Sequence, residues 1–90
     1  MEIGADIVVR GLVQGVGFRY FVLDCATRLN LRGYVRNDAD GSVCIGVDGD
    51  RSTIEELVGV VKIGPGHAHV SDVEVRWRAF KLHTAGFEIR

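Results

Sequence analysis

The sequence has two cysteines, Cys25 and Cys44, too few and too far apart for a zinc site. They are expected as free thiols rather than a disulfide, as in a reducing compartment. Neither sign of charge dominates. Eleven basic residues stand against twelve acidic ones, for a net charge of −1, and a broad nucleic-acid surface needs clustered excess Lys and Arg. Only a local set, Arg19, Arg28, Arg32 and Arg36, is available. No run of eighteen apolar residues occurs, so no membrane span is expected. The opening "MEIGADIVVRG" begins with an acid and lacks a basic flank with a cleavage site. No signal peptide is therefore expected, and a cytoplasmic location is. Three histidines occur. His67 and His69, in "GHAH", fall short of a ligand set and are expected in a solvated loop, and His83 lies in a turn. No metal and no cofactor are expected.

What is present is one domain's worth of chain, residues 1–90, with an apolar fraction of 47%. "ADIVVRGLV", 5–13, is β-branched and bounded by glycine, so it predicts a strand. From Phe18 the period changes. Phe18, Phe21, Val22, Cys25, Ala26 and Leu29 share one helix face, and Asn30 can stop that helix in the left-handed region. "LRGYVRN", 31–37, and "SVCIGVDG", 42–49, predict a hairpin around the turn "DADG". A second helix follows, capped by Ser52 with Glu55 or by Asp50, with Ile54, Leu57, Val58 and Val61 as its stripe. "GPG" ends it, "VSDVEVRW", 70–77, predicts a fourth strand, and "GFEIR", 86–90, a short last one. The order β-α-β-β-α-β plus a terminal strand predicts an α+β, ferredoxin-like sandwich. Its antiparallel sheet carries two helices on one face.

In that topology the loop "QGVGF" after the first strand and Asn37 at the end of the second lie at one edge of the sheet. The third strand separates them by two spacings, about 10 Å. The loop leads into a helix start, where unpaired N–H groups and the positive end of the dipole face outward. Gly15 and Gly17 let the backbone curl so that amides converge on an anion, and the planar fork of Arg19 can hold two phosphate oxygens. The spacing fits neither a Walker A loop, since Val16 stands where a glycine is needed, nor a dinucleotide fingerprint, since Tyr20 replaces the last glycine. On spacing alone, a phosphoryl cradle and a tight strand-to-helix turn with a surface arginine remain equal readings. Asn37 equally suits a hairpin cap.

Two longer segments favour the first reading. "VRGLVQGVGFR", 9–19, resembles the first acylphosphatase signature, and "GYVRNDADGSVCIGVDG", 33–49, resembles the second. "GPGHAHVSDVEVRW" and "GFEIR" are also similar to that family, so the resemblance spans essentially the whole chain. Two mild departures occur: Tyr34 where tryptophan is frequent, and Asn30 where glycine commonly ends the first helix. The resemblance implies a metal-free, ferredoxin-like enzyme that hydrolyses acyl phosphates to a carboxylate and inorganic phosphate. Its phosphate-binding arginine falls on Arg19 and its water-positioning asparagine on Asn37. Gln14, Gly15, Val16, Gly17, Phe18 and Arg19 would surround the phosphoryl group. A small acyl phosphate as substrate, phosphate as product and inhibitor, no nucleic-acid or membrane partner and a monomeric state are the corresponding expectations.

The chemistry suits these residues. A carboxylate leaves without a general acid, so positioning and charge stabilisation can suffice. Two other classes are weighed against it. A non-catalytic phosphate-binding module, related to carbamoyl-phosphate-handling domains, would not need both Arg19 and Asn37. A nucleic-acid-binding sandwich would need stacking aromatics on its middle strands, and "VCIGV" has none.

Overall fold

The β-branched runs and the helical stripes form seven elements in the computed structural model, which describes residues 1–79 and 84–90. They are β1 (Glu2–Leu12), α1 (Phe18–Arg28), β2 (Arg32–Asn37), β3 (Val43–Asp50), α2 (Arg51–Ile63), β4 (His69–Arg78) and β5 (Phe87–Ile89). The sheet order is β4-β1-β3-β2-β5. The ferredoxin-like order is present, with β3 between β1 and β2 as expected. β1 starts earlier than its local pattern suggests because Glu2, Ile3 and Gly4 pair with Asp50, Gly49 and Asp48. The sheet is not wholly antiparallel. β5 pairs with β2 in parallel, Gly33 opposite Phe87 and Val35 opposite Ile89. The cause is directional: β4 runs against β1 and β2, and the chain reverses before β5, which therefore runs with β2. His83 lies outside the described residues.

One face of the sheet carries the core. Ala5, Ile7 and Val9 of β1, Val35 of β2 and Val43, Ile45 and Val47 of β3 are buried against Phe18, Val22 and Ala26 of α1 and Ile54, Leu57 and Val61 of α2. Each such aliphatic side chain contributes about 1.5–3 kcal/mol, enough in sum to tolerate a glycine-rich loop at the rim. Asn30 ends α1 with φ 58°, the left-handed stop anticipated for it. At α2 the N-cap position belongs to Asp50, and the Ser52 hydroxyl donates to the Asp50 carboxylate instead of forming a box with Glu55. Cys25 packs against the core, whereas Cys44 lies on the opposite face of the sheet between Val8 and Arg36, and both are free. Burial pushes the Cys25 thiol above its ordinary pKa.

The other face is dressed by polar pairs. The Arg78 guanidinium, with its side chain 7% exposed, meets Asp48 at 3.1 Å and Asp6 at 3.1 Å. Asp48, 2% exposed at its side chain, is buried by this contact despite lying on the face away from the helices. Removing one member of a buried pair leaves the other without its counter-charge, at about 3–5 kcal/mol. Because Arg78 keeps Asp6, Asp48→Ala is expected at the low end, about 3 kcal/mol, read as a lower midpoint in urea unfolding with an unchanged slope. A stability within about 0.5 kcal/mol of the parent would show that the pair adds nothing.

Candidate active site

β1 leaves the sheet at Leu12, and the next residues turn sharply before α1. Gly15 and Gly17 have φ of 74° and 78°. A Cβ at either would meet nothing within 4 Å, so space is not what demands glycine here. The left-handed backbone is, since it costs other residues about 1–2 kcal/mol. Gly17 is the N-cap of α1 and offers no side chain to the helix amides, while its carbonyl accepts from Phe21 N at 3.0 Å. The N–H groups of the first turn are therefore without intrahelical partners, and no acid stands in that turn to neutralise the dipole.

A pocket of about 100 Å³ opens over this helix start, lined by Val13, Gly15, Gly17, Phe18, Arg19, Tyr20 and Asn37. Pockets that enclose whole organic ligands measure about 300–1,000 Å³. This one suits a small anion with a water beside it. Val13 and Phe18, each 1% exposed, form an apolar floor. Asn37 reaches the pocket from the end of β2, where it pairs with Val43 across the ladder.

Two groups in the pocket lack partners among the described residues. Arg19 makes no ion pair, and every other arginine either meets a carboxylate or, in Arg51, lies over the Trp77 ring at 4.4 Å. Asn37 Oδ1 is buried and accepts no hydrogen bond. The neighbouring acid Asp38 is engaged by Arg36 at 3.3 Å. Among the described residues no carboxylate, imidazole or thiol lines the pocket, and no cluster of three metal-ligating side chains occurs.

Of the residues anticipated from the sequence, Gly15, Gly17, Phe18, Arg19 and Asn37 come together here. Val16 turns its side chain toward the core. Gln14 points elsewhere, its amide donating to the carbonyls of Asp38 at 2.7 Å and Ser42 at 2.9 Å. The sequence pattern does not single out Val13, which a strand marks only as core, or Tyr20, which stands where a dinucleotide fingerprint has its last glycine. Tyr20 is 69% exposed at the pocket mouth.

The acylphosphatase family model matches residues 5–89. The chain belongs to the acylphosphatase family. It is 45% identical over 86 residues to an acylphosphatase of Anaeromyxobacter sp. (strain Fw109-5), covering 96% of this chain and 92% of that one. It is 41% identical to an acylphosphatase of Pyrobaculum arsenaticum over 94% of this chain and 90% of the other. The crystal structure of acylphosphatase from Bacillus subtilis superposes with a TM-score of 0.95 at 36% identity, covering 98% of both chains. With family membership comes the enzyme class, a hydrolase of the acylphosphatase type. The loop, the unpartnered arginine and the asparagine of the pocket all lie inside the matched segment.

Proposed function

We propose that this acylphosphatase cleaves the carboxyl–phosphate bond of small acyl phosphates in the pocket, with Arg19 and the amides of residues 15–19 holding the phosphoryl oxygens and Asn37 positioning the attacking water. The observation that carries the assignment is the convergence of a guanidinium without an ion-pair partner among the described residues and the Asn37 side chain on one pocket over an open helix start. The guanidinium fork and the backbone N–H groups match the equatorial oxygens, where charge concentrates in the transition state. The Asn37 side-chain amide holds the water with a lone pair turned toward phosphorus. The carboxylate departs opposite the water and needs no acid. Among the described residues no base lines the pocket, and the water's proton passes to a phosphoryl oxygen.

A pocket of about 100 Å³ leaves the acyl group outside it in this reading, which supports breadth across small acyl phosphates. Inorganic phosphate, the product, fills the same cradle and is expected to inhibit competitively. The remaining elements of the reading are a single domain over 1–90, a monomer, and a cytoplasmic setting in keeping with the two free thiols. No described helix is long and apolar enough to cross a membrane. Phosphate release from benzoyl phosphate in the presence of EDTA tests the activity and its independence of metal together. Undiminished turnover with chelator is expected. Activity killed by EDTA and restored by a divalent ion would overturn the metal-free mechanism, and phosphate binding without turnover would make the chain a binding module.

A further inference from the structure

We infer that Gln14 is a positioning residue, whose side-chain amide clamps the glycine loop to the β2–β3 turn and so sets the distance between the phosphoryl cradle and Asn37. The inference rests on the reading of the pocket given above. The β1–β3 ladder ends at Val9 opposite Val43. Beyond it β1 bulges at Arg10 and Gly11 and pairs only with β4. Sheet pairing thus fixes Asn37, opposite Val43, but does not tie the loop after Leu12 to it. Among the described residues, the hydrogen bonds joining 13–17 to 37–42 are the two that Gln14 Nε2 donates, at 2.7 Å to Asp38 O and 2.9 Å to Ser42 O.

Those two bonds use both amide hydrogens, and what remains on the side chain is an acceptor, Oε1. An acceptor cannot hold an anionic phosphoryl group. The side chain of Gln14 therefore acts on the loop's position, while its backbone N–H stays available to the cradle. The body it grips is firm. Asp38 N donates to Ser42 O at 2.9 Å and Gly41 N to Asp38 O at 3.1 Å. Ser42, 3% exposed, is held through its N–H and its hydroxyl by the Asp40 carboxylate. Asp38 directly follows Asn37, so the clamp joins the residue next to the water-holding amide to the residue next to the first cradle glycine. In-line attack is sensitive to such spacing, with a misplacement of about 1 Å costing about a hundredfold.

Gln14→Leu and Gln14→Met remove both donors at an exposed position. Each should lower kcat for benzoyl phosphate by about ten- to a hundredfold. The inhibition constant for inorganic phosphate should stay within about twofold, and the unfolding midpoint should not move. A merely structural role would move the midpoint, and a direct phosphate contact would weaken phosphate inhibition as much as it lowers kcat. Either result, or an unchanged kcat, overturns the clamp. Wild-type turnover in the same assay separates this outcome from the underlying activity. Without it that reading falls, and the clamp's role falls with it.

Discussion

Arg19→Ala should reduce benzoyl phosphate hydrolysis by at least about a thousandfold, the scale at which a single arginine acts in phosphoryl transfer. Arg19 has no carboxylate or ring partner among the described residues, so its removal strands no buried counter-charge and should leave stability within about 0.5 kcal/mol. Phosphate inhibition should weaken in parallel with the loss of rate, because the same fork holds substrate and product. Arg19→Lys should fail nearly as badly. An ammonium restores the charge but not the two parallel N–H bonds, and in a pocket of about 100 Å³ a misdirected charge has little room to adjust. Steady-state rates and phosphate inhibition constants for the two variants check this. Near-normal kinetics in either would remove Arg19 from the site, and a large drop in stability would show that it is structural.

The cradle was legible in the sequence because its signals are local. A strand of β-branched residues, two glycines, a change to helical period at Phe18 and an arginine one position later all fall within fifteen residues. The hairpin brought Asn37 to the same edge by topology alone. What the sequence does not show depends on contacts between distant segments. Three residues of β5 carry no sign of direction, and only its register with Gly33, Tyr34 and Val35 shows the strand to be parallel. Gly46 reads as a polar-face glycine in an alternating strand. Its cause is the Tyr34 ring, which occupies the space a Cβ would need and which carries the Arg90 guanidinium at 4.5 Å. Asp48 alternates onto the strand face opposite Val43, Ile45 and Val47, and it is buried there by Arg78, thirty residues away. Gln14 illustrates the same limit inside the motif. The family resemblance groups Gln14 with the phosphate-binding loop, and only the carbonyls it meets assign its side chain to the turn.

Asn37→Ala should separate catalysis from both binding and stability. If Asn37 holds the water, its loss leaves the guanidinium and the loop amides intact, so phosphate inhibition should change by no more than about threefold. The rate of attack should fall by about a hundred- to a thousandfold, as for loss of a single preorganised polar contact. Among the described residues the Asn37 Oδ1 accepts no hydrogen bond, so its removal breaks no contact of that oxygen within the fold. The variant should therefore unfold at about the same urea concentration as the parent. A hairpin-capping role predicts the reverse, a less stable chain with near-normal kcat. Asn37→Asp sharpens the distinction. It keeps the shape and an acceptor toward the water but adds a negative charge beside the phosphoryl oxygens. It should lose phosphate affinity as well as rate, where the alanine variant loses rate alone. Single-turnover hydrolysis, phosphate inhibition and urea unfolding of the two variants test this together. Unchanged single-turnover chemistry in Asn37→Ala would mean that the water is held by another group.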